Sequence, residues 1–162
     1  VSIGQGDFSI TPIELLNYIN AVANGGRIYQ PRIVQEISDE NKDSIVKFKE
    51  TINLRDMSAE IGETLPHILL GMRGVVEKSY GTAHSLSYLP IEVAAKTGTA
   101  QVENNTKVNA FFVGFAPYEK PEIALLILVE NAREGSSNTI PVARDVFNWY
   151  YKNRIKTISS KN

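Results

Sequence analysis

Residues 92–130 read EVAAKTGTAQVENNTKVNAFFVGFAPYEKPEIALLILVE. Three segments in this stretch, 92–101, 107–115 and 122–130, carry period-two patterning or a run of strand-favouring residues. The connections between them, ENNT and PYEKP, are short and polar. Such connections join antiparallel neighbours, so the three segments are predicted to form one antiparallel sheet with the first strand on an edge. That first strand is odd. Where a buried strand would carry Val and Ile, it carries Lys96, Thr97, Gly98 and Thr99. Glycine weakens a strand interior and often marks close approach by another backbone or a ligand.

The flanks of this sheet read as helices. Thr11-Pro12-Ile13-Glu14 is a capping box with proline at the first helical position. The mostly apolar LLNYINAVA follows it and stops at Asn24-Gly25-Gly26, a pattern expected of a largely buried helix. Residues 27–54 read as short strands around the polar turn SDENKDS. From Ser58 onward, Ile61, Leu65, Ile68, Leu69, Met72, Val75 and Val76 keep helical spacing, with a kink expected at Pro66. YLPIEV, at 88–93, reads as a β-leaning approach to the first strand of the sheet. After the loop NAREGSSNT, IPVARDVFNWYYKN is expected to close the chain as an amphipathic helix. The fold class is α+β, helices packed on an antiparallel sheet.

Length and composition bound the function. At 162 residues the chain is one domain's worth of protein, able to bury roughly two-thirds of the surface that an unfolded chain exposes. Lys plus Arg number 17 against 18 Asp plus Glu, so no charge excess points to nucleic acid or an anionic membrane. Zero cysteines exclude disulfides and thiolate metal sites. The longest unbroken apolar run, residues 123–129, is far too short to span a bilayer, and no signal peptide is visible. The chain opens on Val1, which suggests a piece of a longer protein.

Most residues with chemical potential have a plain structural reading. His67 and His84 have no ligand spacing around them, so no metal site is expected. Phe111, Phe112 and Phe115 belong to the core and flank of the sheet, and Trp149, Tyr150 and Tyr151 are read the same way. Lys96-Thr97-Gly98-Thr99 is different. Gly98 removes a side chain where a substrate backbone could lie along the strand. Thr97 and Thr99 share a face and offer hydroxyls to a carboxylate or carbonyl. Lys96 could hold an anion or tune a neighbouring hydroxyl. A solvated edge strand with Lys96 guarding against aggregation is the plain alternative, and for a lone tripeptide it would be preferred.

Context changes that balance. Lys-Thr-Gly is one of three motifs shared by penicillin-binding proteins and serine β-lactamases. The longer AAKTGTAQV resembles the class B penicillin-binding proteins, the D,D-transpeptidases that cross-link peptidoglycan. SIGQG with TPIELL, GMRGVVEKSYGTAH at 71–84, AFFVGFAP at 110–117 and EIALLILVEN ending at Asn131 do so too, in the order the family has them. The combination is most similar to the elongation type, penicillin-binding protein 2. The resemblance implies that the strand lines the active-site cleft on the edge of a five-stranded sheet. Lys96 would sit near the nucleophile and help organise proton transfer. Thr97 and Thr99 would contact the carboxylate of the terminal D-alanine of a stem peptide, or of a β-lactam. The Thr99 backbone N–H would form half of an oxyanion hole, and Gly98 would leave room for the acyl chain. No cofactor is implied. Cell-elongation proteins are implied as partners, and the extracytoplasmic side of the inner membrane as the location, with no anchor in these residues.

The nucleophile is the gap in this reading. The family's Ser-x-x-Lys and Ser-x-Asn motifs lie upstream of SIGQG, so the chain is expected to be the C-terminal portion of the domain without its catalytic serine. Ser44-Ile45-Val46-Lys47 matches the first pattern formally, but in a strand a separation of three puts the two side chains on opposite faces. Ser136-Ser137-Asn138 matches the second, but follows Lys-Thr-Gly and falls where a helix cap is expected. The missing part would also supply strands beside 122–130, so the apolar IALLILV is expected to need a companion segment or self-association to cover its edge. Two further readings stay open at this level: a serine β-lactamase or penicillin-sensing domain, and a non-catalytic scaffold using the same fold.

Overall fold

The structure is a computed structural model, and it describes residues 9–41, 44–48, 50–102, 106–132 and 135–156. SIGQG, residues 42 and 43 of the polar turn, 103–105 of the ENNT connection, and 133–134 lie outside the described residues. Helix α1 (Pro12–Ala23) begins at the predicted capping box. Thr11 Oγ1 accepts the Glu14 N–H at 3.4 Å, while Glu14 Oε2 accepts the Thr11 N–H at 2.8 Å and its hydroxyl at 2.6 Å. The helix ends where Gly25 and Gly26 take φ of 88° and 106°, which lets the Gly26 N–H return to the Ala21 carbonyl at 2.7 Å. The expectation of a largely buried α1 is corrected. The helix buries Ile19, Ala21 and Val22 but leaves Ile13 and Tyr18 exposed, because it packs on its neighbours with one face only.

Four short strands follow: β1 (Arg27–Tyr29), β2 (Glu36–Ser38), β3 (Ser44–Lys47) and β4 (Asn53–Asp56). They pair as two antiparallel ribbons, β1 with β4 and β2 with β3. The predicted kinked helix from Ser58 is instead two helices, α2 (Ser58–Ile61) and α3 (Leu65–Glu77). Gly62 closes α2, and Pro66 lies in the first turn of α3, where its missing N–H costs no ladder bond. Proline therefore starts a helix here rather than bending one. The expected β-leaning approach at 88–93 is also corrected: a 3-10 turn runs from His84 to Tyr88, and regular pairing begins only at Ala94.

The predicted sheet is present. Strands β5 (Ala94–Val102), β6 (Lys107–Ala116) and β7 (Ile123–Ala132) run antiparallel in the order β5-β6-β7, so β5 is an edge. The β5–β6 register is unbroken from Ala94↔Phe115 to Val102↔Lys107. Alternation along the strands then sorts side chains into two cores. Ala94, Val113 and Phe115 pack with Ile19, Val22, Leu65 and Met72 from α1 and α3. On the other face, Ala95, Phe112 and Ala116 pack with Ile140, Ala143 and Phe147. Phe112 and Phe147 meet edge to face, with centroids 6.4 Å apart.

The last three residues named there except the strand members belong to α4 (Gly135–Tyr150), which begins five residues earlier than the sequence suggested. Pro141, the second residue of the segment expected to form this helix, therefore lies inside α4. Burial of Ile140, Ala143 and Phe147 against β6 offsets the ladder bond that the proline forgoes. A π turn, Tyr151–Ile155, continues the helix. Trp149 is corrected from a core or flank residue to an exposed one, since Ala143, Phe147 and Tyr151 follow the inward spacing and Trp149 falls off it. At the far side of the sheet β7 pairs only with β6 among the described residues, and the side chains of residues 123–129 are half-buried.

Two outcomes follow from this packing. A Cβ at Gly81 would run into the Val75 carbonyl, 2.7 Å from its carbon, whereas one at Gly71 within α3 meets nothing within 4 Å. Gly81→Ala is expected to lower stability by about 1–3 kcal/mol, and Gly71→Ala to raise it by roughly 0.5–1 kcal/mol, both read by urea unfolding. The second outcome concerns acid. Hydrogen bonds from the Thr11 side chain and backbone hold the Glu14 carboxyl below its ordinary pKa. A carboxyl lowered in the folded state stabilises the fold above its unfolded pKa, and that contribution is lost as pH falls through the folded value. The difference in melting temperature between wild type and Thr11→Ala should therefore be full at neutral pH and shrink below the ordinary carboxylate range.

Candidate active site

The outer edge of β5 carries Lys96, Thr97, Gly98 and Thr99 in one uninterrupted run. Their order in the strand fixes where they face. Lys96 is opposite Val113 and Gly98 opposite Phe111, on the α1 and α3 side; Thr97 is opposite Phe112 and Thr99 opposite Ala110, on the α4 side. Ala94 and Ala95 are fully buried, Thr97 and Gly98 are half-buried, and Lys96 and Thr99 are exposed. The strand thus leaves the core as it reaches Lys96, and among the described residues β6 pairs it on one side only.

Each of the four residues has a definite neighbour. Lys96 Nζ donates to the carbonyl of Thr97. Thr97 Oγ1 lies 2.8 Å from Thr82 Oγ1. A Cβ placed on Gly98 would meet only the Phe111 Cβ, at 3.6 Å, so the space over Gly98 is open on its outer side. Gly135, the first residue of α4, comes so close to Thr99 that a Cβ there would run into the Thr99 hydroxyl. The N-terminus of α4 therefore lies beside the second threonine, and the helix dipole brings partial positive charge to that end of β5.

A cationic strap fixes the approach to this strand. Arg73 of α3 donates to the Val93 carbonyl at 3.2 Å and pairs with Glu92 at 2.9 Å, with its guanidinium 5.7 Å from the Tyr118 ring centroid. The Tyr118 N–H in turn bonds the Glu92 carbonyl at 2.9 Å. With Arg73 only 18% exposed, these contacts tie α3, the start of β5 and the β6–β7 turn together immediately before Lys96.

Sequence reasoning named the four strand residues and missed three that touch or position them: Thr82, Arg73 and Gly135. Thr82 and Arg73 both lie within the GMRGVVEKSYGTAH landmark, so the signal was there, but which side chains reach β5 depends on how the loop folds. Gly135 was read as loop. His84 keeps its structural reading, with Nδ1 3.1 Å from the Val76 carbonyl, and His67 faces solvent.

Neither formal serine match has the backbone setting that its motif calls for. Ser44 to Lys47 is strand β3, in a separate ribbon, and Lys47 pairs with Glu36 at 3.5 Å. Ser136 to Asn138 fall in the first turn of α4, not upstream of the strand. A hollow of about 670 Å³ lies between the ribbons, lined by residues such as Pro31, Arg32, Phe48 and Ile52, none of them on β5.

The comparisons agree with this geometry. The penicillin-binding protein transpeptidase domain matches residues 1–148. The peptidoglycan D,D-transpeptidase MrdA of Haemophilus influenzae is 28% identical, the match covering 100% of this chain and 27% of that protein. Among solved structures, a complex of penicillin-binding protein 2 with MreC from Helicobacter pylori superposes with a TM-score of 0.72 at 32% identity, covering 95% of this chain and 27% of that one. The imipenem acyl-enzyme complex of penicillin-binding protein A from Mycobacterium tuberculosis gives a TM-score of 0.74 at 26% identity, covering 90% of this chain and 32% of that one. The chain spans about a quarter of the length of the curated relatives it matches. An edge strand bearing Lys-Thr-Gly, flanked by α1 and α3 on one face and α4 on the other, and a family match over most of its length place this chain in the penicillin-binding protein transpeptidase domain family.

Proposed function

We propose that this chain forms the substrate-cleft portion of a peptidoglycan D,D-transpeptidase, the C-terminal part of one domain whose catalytic serine is supplied from outside these 162 residues. The observation that carries the reading is the open side of β5, where a lysine, two hydroxyls and a bare glycine stand in register along an edge. A stem peptide ending in D-Ala-D-Ala, or a β-lactam, would lie antiparallel to that edge over Gly98. Thr97 and Thr99 present hydroxyls on the α4 face to hold its carboxylate, beside the positive end of α4. The Thr99 N–H serves the oxyanion hole for the scissile carbonyl. Lys96 faces the other side of the strand, where the serine of the first motif would enter; there its ammonium leaves the Thr97 carbonyl to steer proton transfer.

In this reading the serine attacks the carbonyl of the penultimate D-alanine, the terminal D-alanine leaves, and the amine of a second stem takes the acyl group. The relatives named as D,D-transpeptidases and the acyl-enzyme of a structural neighbour support this chemistry. The likeness to a penicillin-binding protein 2 seen with MreC supports a partner in the cell-elongation machinery, and the family membership fits work at the cell wall, outside the inner membrane. The apolar outer edge of β7 calls for cover, which the remainder of the domain provides, or else a second copy of this chain.

Two measurements test the assignment. In the whole transpeptidase, Gly98→Val should lower penicillin acylation by about a hundredfold, because its branches occupy the substrate's place. Stability should change by no more than about 1 kcal/mol, since a Cβ fits against Phe111. Parallel losses of acylation and melting temperature would instead make Gly98 a residue of the fold. Intact-mass analysis of this chain alone after incubation with a reactive penicillin should show no covalent adduct, and restoring the rest of the domain should produce one. An adduct mapped to Ser44, or to any serine in these residues, would sink the reading.

A further inference from the structure

We propose that Thr82 is a positioning residue of the cleft, setting the Thr97 hydroxyl so that its proton is offered to the carboxylate of the substrate or β-lactam. The inference rests on the function proposed above and adds to it a residue from outside the strand. Thr82 Oγ1 lies 2.8 Å from Thr97 Oγ1, and either oxygen can be the donor. A hydroxyl has one proton and two acceptor sites. Only one of the two threonines therefore donates in the bond between them. If Thr97 gives its proton to an anion, its oxygen is left to accept, and Thr82 becomes the donor. The pair then acts as a directed relay: Thr82 O–H to Thr97 Oγ1, and Thr97 O–H to the carboxylate. Hydrogen bonds chained in one direction polarise one another, so the second bond gains from the first.

Burial does not require this pairing. Thr82 is exposed and Thr97 half-buried, so water would satisfy both hydroxyls equally well. Yet the loop that presents Thr82 is tightly built. The Gly81 N–H bonds the Lys78 carbonyl at 2.8 Å, and the Ala83 N–H reaches back to Val75 at 3.1 Å. The His84 N–H bonds Gly81 at 3.1 Å, and His84 Nδ1 lies 3.1 Å from the Val76 carbonyl. Gly81 is pressed against Val75 with no space for a Cβ, and Ala83 is fully buried. Thr82 thus projects between two pinned neighbours, from a backbone that has little freedom to move. Such support holds a functional hydroxyl in place before the substrate arrives.

The test uses the whole transpeptidase and two probes, a penicillin with its free carboxylate and the methyl ester of the same penicillin. Thr82→Val removes the hydroxyl while keeping the shape. It should slow acylation by the free acid by up to about tenfold, the upper range for a hydrogen bond between two neutral hydroxyls, and leave the ester's rate and the melting temperature unchanged. Thr82→Ser should restore the free-acid rate. In a Thr97→Val background, Thr82→Val should have no further effect, because the relay has already been cut. Equal losses on both probes with a lower melting temperature would make Thr82 a structural tie and overturn the inference. So would an unchanged free-acid rate in Thr82→Val while Thr97→Val still discriminates between the probes, and in that case the proposed function stands. If Thr97→Val itself treats both probes alike, the carboxylate role of Thr97 fails and the inference falls with it.

Discussion

The arrangement depends on the pairing of β5 with β6. Nine successive residue pairs run from Ala94↔Phe115 to Val102↔Lys107 without a bulge. Because side chains alternate with a period of two, a slip by one residue would exchange the faces of Lys96 and Thr97. That slip is resisted at the buried end of the strand. Ala94 must enter the core built by α1 and α3 and Ala95 the core built with α4, where each is fully buried. Two small residues buried on opposite faces therefore set the facing of the four polar residues that follow.

The partner strand is held more strongly still. Phe112 and Phe115 are fully buried on opposite faces of β6, and Val113 is nearly so. A strand buried on both sides is a rigid reference, and elements near the site are measured from it. Helix α4 docks on it through Phe147, which brings Gly135 against Thr99. Helix α3 is tied to the start of β5 by Arg73, and the loop after α3 brings Thr82 to Thr97. The polar edge can be exposed and still ordered because its backbone belongs to a sheet whose interior is closed.

The ribbons β1–β4 and β2–β3 stand in contrast. Their residues are mostly exposed, including Ile37, Val46 and Leu54, and their registers shift once each. Little core holds them, so their pairing relies on the ladders and on surface ion pairs such as Arg27 with Asp56 at 3.5 Å, which contribute little by themselves. Precision in this chain is concentrated where α3, β5, β6 and α4 meet.

Much of this was legible in the sequence, for local reasons. The capping box of α1 and its Gly25-Gly26 stop are short-range chemistry, and so are the patterning and the short polar connections that identified three strands and put the first of them on an edge. The run Lys96 to Thr99 stood out because it violates the composition of a buried strand. Misreadings arose where a local signal has two meanings. Pro66 and Pro141 could each bend, start or interrupt a helix, and packing on the sheet chose: the first turn of α3 for one, the interior of α4 for the other. Trp149 looked like core because it is large, but its angular position on α4 faces it outward. What sequence alone determined is the set of chemical groups on β5 and, through the period of two, which of them share a face. What only the tertiary structure decided is which distant groups meet them: Thr82 at Thr97, Gly135 at Thr99 and Arg73 at Val93. Those meetings span 15, 36 and 20 positions of chain, as 97 − 82, 135 − 99 and 93 − 73. Separations of that length carry no periodic signal, and only the docking of α3 and α4 on a sheet buried on both faces brings the groups together.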